Sequence, residues 1–279
     1  YVIYGEDDIL MQQFAKPEPM RRTHHLRAIR RKNKDGHHYF IANLTPNDIT
    51  DTIKIAVDCK TAIWYNPMNG EINRADITTD GIILSLRSGE SRILRTLDTD
   101  NQVLPPLIAN NKKKEIITLS NPWELSFTEE QPKIRETFTL KNPQTWETLS
   151  DSARVMMGTG IYTTTITLNK SQAEKKWQID LGDVRESARV YINDTYIGCA
   201  WAVPYILGCG KALRQGENII RIEVTNLPAN RIADYDRKNI PWRKMKEINV
   251  VDINYKKTTY EKWSPMKSGL NSQVHLIAN

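Results

Sequence analysis

Residues 177–227 read WQIDLGDVRESARVYINDTYIGCAWAVPYILGCGKALRQGENIIRIEVTNL, and this stretch decides the fold. Trp177, Ile179 and Leu181 alternate with Gln178 and Asp180. Ala188, Val190 and Ile192 alternate with Arg189, Tyr191 and Asn193, and Ile220, Ile222 and Val224 with Arg221, Glu223 and Thr225. A period of two gives each segment one apolar and one polar face, the signature of half-buried strands. Asn193-Asp194 and Gln215-Gly216-Glu217-Asn218 supply turn residues between them. The stretch predicts four antiparallel strands of a β-sandwich.

The same pattern extends outward in both directions. Tyr162, Thr164, Ile166 and Leu168 form a further alternating strand; Ile116–Leu119, Trp123–Thr128, Ile134–Leu140 and Val274–Ile277 are additional candidates. Residues 145–154 read as a short helical excursion, and the chain from Leu227 to Val274 as irregular. In the N-terminal third, strands are expected at Leu26–Arg31, His38–Asn43, Ile53–Val57, Ala62–Tyr65, Ile82–Leu86 and Arg92–Leu97. Asn69-Gly70 and Asp80-Gly81 mark tight hairpins, because these residue types tolerate positive φ. The expected organisation is an arm over 1–23, with a short helix around Ile9–Ala15, then a small β-sandwich over 24–97. A linker over 98–114, rich in Asn, Pro and Lys, leads to a larger sandwich over 115–279. The order of elements excludes alternating β-α units, so the fold class is all-β with two antiparallel sandwiches.

Composition narrows the chemistry. The chain has 279 residues, 39% of them hydrophobic, enough for about two ordinary domains. Thirty-nine basic against 33 acidic side chains give a formal charge of +6, part of it in the cluster from Arg21 to Lys34 and in Lys112–Lys114. Such runs read either as an anion-binding patch or, preferably, as a solvated strand face and a linker. No apolar run approaches the roughly 20 residues of a membrane span. Cys59, Cys199 and Cys209 are too few for a disulfide scaffold; small buried thiols are expected, with a Cys199–Cys209 pair as the alternative. No Cys/His spacing supports zinc, no EF-hand-like spacing supports structural calcium, and no cofactor is expected. The chain starts at Tyr1 without Met, which reads as a processed protein or a fragment.

Catalytic candidates are few. Glu6-Asp7-Asp8 reads as a solvated arm or as helix caps. Asp234 and Asp236 fall in the irregular stretch, where they either face a ligand or calcium or are simply solvated. His24-His25 and His37-His38 lie on neighbouring strands; a structural pair across a hairpin is favoured over a metal site. No G-x-S-x-G nucleophile motif occurs. Sugar recognition uses aromatic faces and planar hydrogen-bonding groups. Trp201, Tyr205, Tyr235, Trp242 and Trp263 lie in or beside expected loops, with Asn193, Asn226, Asn230 and Arg231 as hydrogen-bonding companions. Core or interdomain packing is the competing role for each aromatic, and Trp64 is assigned to the core.

The second half resembles the galactose-binding-like jelly roll of glycoside hydrolase family 2. The resemblance rests on Gly160-Ile161-Tyr162, Leu181-Gly182-Asp183-Val184, Ala188–Asn193, Ile197-Gly198 and Gly216-Glu217-Asn218, with Asn193-Asp194 where that family has Asn-Gly. Over nearly its whole length the chain resembles the C-terminal region of glycoside hydrolase family 106, the α-L-rhamnosidase-like enzymes. Ile29-Arg30-Arg31, Gly36–Asn43, Trp64–Gly70, Val224–Leu227, Asn230-Arg231 and Ser268-Gly269-Leu270 carry that likeness in order. The resemblance implies a non-catalytic region that follows a catalytic barrel, and no family catalytic residue maps onto this chain. The implied partners are a glycan and the catalytic domain of the same polypeptide, with no nucleic acid. The implied location is the periplasm or the cell exterior. A free-standing carbohydrate-binding module is the second reading, and a hydrolase with unrecognised carboxylates the third.

Overall fold

The computed structural model describes residues 16–100, 115–243 and 258–278. The expected helix at Ile9–Ala15, the Glu6-Asp7-Asp8 run, Lys112–Lys114 and most of the linker lie outside them. The chain forms two compact units, Tyr1–Asn111 and Lys112–Asn279. Every strand pairing is antiparallel, and the sheets are layered as sandwiches, so the all-β expectation holds.

The first unit opens with the short helix α1 (Met20–Thr23), followed by β1 (Arg27–Lys32), β2 (Gly36–Ala42), β3 (Ile49–Ile53) and β4 (Thr61–Tyr65). Then come β5 (Ile72–Arg74), β6 (Ile77–Thr78), β7 (Gly81–Leu86) and β8 (Ser91–Leu97). One sheet has the order β1-β2-β8-β4-β5, the other β3-β7-β6. Tyr39, Ile41, Leu94, Ala62 and Trp64 from the first sheet meet Ile53, Ile82, Leu84 and Leu86 from the second in one core. Each aliphatic side chain fully buried there contributes about 1.5–3 kcal/mol. Trp64 is a core residue as expected, its Nε1 donating to the Ile83 carbonyl at 3.2 Å.

Several local expectations need correction. The strand expected through Val57 stops at Ile53, because its partner β7 begins at Gly81, beside the Ile53–Ile82 pair. Ile55 and Val57 still pack on the core from a loop. Asn69-Gly70 lies in a loop of six residues between Tyr65 and Ile72, rather than in a two-residue turn. Thr79-Asp80 is the two-residue turn between Thr78 and Gly81. Strands β5 and β6 were not expected; at three and two residues they are too short to show a period.

The outer face of the five-stranded sheet carries an unusual row. The registers align Ile29 with Phe40, Phe40 with Ile93, Ile93 with Tyr65, and Tyr65 with Ile72. Ile29, Phe40 and Ile72 are exposed. The next row aligns Arg31, His38, Arg95, Ile63 and Arg74. The basic cluster is thus split. Arg27 and Arg31 share a face with Ile29, whereas Arg30 turns to the buried Glu18 at 2.6 Å.

The second unit comprises β9 (Glu115–Thr118), β10 (Trp123–Gln131), β11 (Phe138–Leu140), a 3₁₀ turn at Trp146–Thr148, α2 (Asp151–Arg154) and β12 (Met157–Leu168). These are followed by α3 (Lys170–Ala173), β13 (Trp177–Asp180), β14 (Val184–Arg185), β15 (Ser187–Ile192), β16 (Thr195–Ala200), β17 (Ile206–Gly208) and β18 (Gly216–Thr225). It ends with α4 (Ala229–Arg237), β19 (Gly269–Leu270) and β20 (His275–Ala278). A six-stranded sheet β11-β10-β12-β18-β15-β16 faces a four-stranded sheet β17-β13-β20-β9, with β14-β19 as a short third pair. This is the expected jelly-roll sandwich. Ala188, Val190, Ile192, Ile220, Ile222 and Val224 are fully buried against Trp177, Ile179 and Leu276.

The helical excursion at 145–154 is present as the 3₁₀ turn and α2. The 177–227 stretch holds six strands rather than four, the extra ones being the two- and three-residue β14 and β17. The strand expected from Ile134 shrinks to Phe138–Leu140, the part that finds ladder partners on β10. Asn193 and Asp194, at φ 50° and 62°, close the β15–β16 hairpin between Ile192 and Thr195, as their turn chemistry requires. Glu115 pairs with Ala278, so the first and last strands of this unit run side by side.

Candidate functional site: the loop end of the second unit

Strand register places the candidate residues at one end of the jelly roll. Gln131, where β10 finishes, pairs with Met157, where β12 starts. Thr225, the last residue of β18, pairs with Thr159 and with Ser187, the first residue of β15. Ala200, the last residue of β16, pairs with Ala188. On the facing sheet Asp180 pairs with Ile206, and Leu181 donates to the Tyr205 carbonyl at 2.9 Å. The connections that contain Glu147, Glu186, Trp201, Tyr205, α4 and residues 258–268 therefore all emerge at this end.

The helix α4 corrects the reading of the stretch after Leu227 as irregular. Its signals are present in the sequence: Arg231 and Asp234 at i,i+3, Asp234 and Lys238 at i,i+4, and Asn239 just past the end at φ 53°. Asp234 is buried in ion pairs with Arg231 and Lys238, both at 3.0 Å. Asp236 accepts from Trp242 Nε1 and from the Tyr260 main chain, each at 2.8 Å. The loop-ligand alternative for these two carboxylates gives way to a packing role. Among the described residues no group of three or more His, Cys, Asp or Glu is arranged to hold a metal.

The structure sorts the sequence candidates by role. Asn230 is buried and tied to Met266, donating to its carbonyl and accepting from its amide, both at 2.8 Å, with Glu147 Oε1 at 3.3 Å. Asn226 accepts from Gly158 at 3.0 Å and donates to the Met156 carbonyl at 2.9 Å. Asn193 donates to Ala212 and Asn218. Tyr205 is buried in the core, and burial beside Glu186 raises its pKa. Arg231 lies 4.4 Å from the Tyr235 ring, and the Tyr235 hydroxyl donates to Gln131 at 3.2 Å. Trp201 stands in solvent, 65% exposed.

Trp242 and Trp263 come together through a residue that sequence reasoning missed. Tyr260 lies 6.2 Å from Trp242 and 4.4 Å from Trp263, centroid to centroid. The Arg243 guanidinium sits 4.8 Å over Trp242 and 5.6 Å from the Tyr260 ring. No motif signals this group; its one trace in the sequence is that Trp242 and Trp263 lie in a stretch rich in Lys and Arg and without a regular pattern. Glu147 was also missed. Burial raises its carboxyl pKa, opposed by hydrogen bonds from its own and Ser268 groups and from Asn230.

The histidine pairs do not meet. His37 and His38 pair with Lys32 and Arg31 at one end of the β1–β2 hairpin, whereas His24 precedes β1 at the other end and contacts Asp51 at 3.1 Å. The thiols are free: Cys209 is buried, Cys59 half-buried and Cys199 exposed. This replaces both the Cys199–Cys209 pair and the expectation of three buried thiols.

The fold recurs in a rhamnosidase from Novosphingobium sp. PP1Y. That structure superposes with a TM-score of 0.69 at 20% identity, over 91% of this chain and 24% of the rhamnosidase. In sequence, a putative β-glucuronidase from Formosa agariphila is 24% identical over 159 residues, 53% of this chain and 14% of that protein. No family model matches the chain. The fold of this chain is thus shared with part of that rhamnosidase. The chain spans about a quarter of the rhamnosidase and a seventh of the putative β-glucuronidase. Among the described residues no helix is long and apolar enough to cross a membrane.

Proposed function

We propose that this chain is a non-catalytic accessory region of a rhamnosidase-like glycoside hydrolase of the family 106 type, bracing the catalytic domain and contacting glycan from its loop end. The observation that carries the reading is the superposition over 91% of this chain on 24% of a rhamnosidase. Two features add support. Each unit builds a sandwich core from its alternating apolar residues, and the loop-end carboxylates Asp234 and Asp236 are engaged in ion pairs and hydrogen bonds. The exposed Ile29–Phe40–Ile72 row, bordered by Arg31 and Arg74, suits an apolar interface with a neighbouring domain. The same reading puts the protein in the periplasm or outside the cell.

The test is hydrolysis of an aryl α-L-rhamnoside by the purified chain, compared with a longer polypeptide that includes a catalytic barrel. Turnover only in the longer protein is the expected result. Turnover by this chain alone would establish a hydrolase with unrecognised carboxylates. Glycan binding with no catalytic barrel encoded beside it would make the chain an independent carbohydrate-binding module.

A further inference from the structure

We infer that Trp263, Tyr260 and Arg243 form a subsite for an acidic, uronate-bearing oligosaccharide; this deepens the glycan-contacting part of the reading above and rests on it. The first argument is preorganisation. Asp236 and Arg237, consecutive on the last turn of α4, hold Trp242 and the 260–263 turn. Asp236 accepts from Trp242 Nε1 and the Tyr260 amide at 2.8 Å. Arg237 donates from Nε to the Glu261 carbonyl at 2.8 Å and from Nη2 to the Trp263 carbonyl at 2.7 Å. The Trp263 amide closes a turn onto the Tyr260 carbonyl at 3.0 Å. Rings fixed in this way lose little freedom when a ligand arrives.

The second argument is what the fixed group presents. Trp263 is 47% exposed although its ring touches Tyr260. An indole held half in solvent offers the flat apolar surface on which the C–H face of a pyranose packs. Nothing in core formation requires it: Trp263 belongs to neither core cluster.

The third argument is charge. The Arg243 side chain lies over Trp242 and Tyr260 and donates to the Thr258 carbonyl. The hydrogen bonds of Arg237 likewise go to main-chain carbonyls. The hydrogen-bond acceptors of both guanidiniums are thus neutral carbonyls, and among the described residues neither guanidinium forms an ion pair. A planar guanidinium next to a stacking surface matches a sugar carboxylate through paired N–H···O bonds.

The experiment is calorimetric titration of the 279-residue chain with a galacturonate tetrasaccharide, a glucuronate-containing tetrasaccharide and the carboxyl-reduced form of each. Binding to at least one acidic oligomer, about tenfold tighter than to its reduced form, is expected. Trp263→Ala weakens it about tenfold or more, and Arg243→Gln erases the preference for the acid while leaving weak binding to both forms. Tyr196→Ala, an exposed aromatic on β16, leaves binding unchanged. Near-ultraviolet circular dichroism of each variant confirms that the fold persists. Equal affinity for acidic and reduced chains, binding indifferent to Trp263→Ala, or no binding of any acidic oligomer would overturn the subsite. None of these results touches the bracing role, which stands or falls on the hydrolysis assay.

Discussion

Trp146 Nε1 donates to the Tyr162 hydroxyl at 2.6 Å, wholly inside the second unit. The same hydroxyl oxygen accepts the Leu270 amide at 3.0 Å. One phenol therefore joins the 3₁₀ turn, the central strand β12 and the short strand β19. Tyr162→Phe leaves two buried N–H groups without an acceptor, at roughly 1–3 kcal/mol each. Denaturant unfolding followed by tryptophan fluorescence is expected to show a loss of about 2–5 kcal/mol confined to the second unit's transition.

Gly269 makes this arrangement possible. A Cβ there would stand 2.2 Å from Trp146 Nε1 and 2.5 Å from the Tyr162 hydroxyl, and its φ is +89°. Gly269→Ala combines backbone strain with overpacking, so a destabilisation of about 3 kcal/mol or more is expected in the same assay. Gly210→Ala, with open space around its Cβ and φ +57°, isolates the backbone contribution and is expected to cost only about 1 kcal/mol.

Thiol chemistry separates the three cysteines. Cys199 is exposed, Cys59 half-buried, and Cys209 buried with its pKa raised to about 12 by desolvation. A chromogenic disulfide reagent at neutral pH is expected to react quickly with one thiol per chain and with Cys209 only after unfolding. Cys199→Ser removes the fast phase.

Glu147 gives the loop end a defined pH response. Burial raises its carboxyl above the ordinary 4.5, so the folded chain holds this proton more tightly than the unfolded one. Its contribution to stability is present below the unfolded value and falls as pH rises from there through the folded value. Glu147→Gln keeps an oxygen for Asn230 and cannot ionise. The variant is expected to match the parent at about pH 4 and to gain in relative melting temperature as pH rises towards about 7.

The exposed row on the first unit separates stability from assembly. Phe40→Asp alters a surface position and is expected to change the stability of this chain by under about 1 kcal/mol. If the row is the proposed interface, the same change in a longer polypeptide that includes a catalytic barrel is expected to lower the melting temperature and increase protease sensitivity.

Strands with five or more alternating residues, such as Ser187–Ile192 and Gly216–Thr225, are legible in sequence because each side chain reports its face. Strands β5, β6, β14 and β17 are not, since two or three residues cannot display a period and their pairing is decided by neighbours. Helix α4 hid for a different reason. Its buried face holds Asn230, Ala233 and Asp234, so polar residues satisfied by Met266, Arg231 and Lys238 replace the apolar stripe that normally betrays a helix. The aromatic candidates were found by residue type, but their grouping depends on Asp236 and Arg237, whose contacts span 24 to 26 residues when they reach the 260–263 turn.

The pairing of Glu115 with Ala278 closes the second unit at the edge opposite its loops. The two strands that lie furthest apart in the sequence of this unit thus share one ladder, at the end of the sandwich away from Thr225, Ala200 and Asp180. Fraying at Glu115 and at Ala278 is therefore a single event, since each strand holds the other in register.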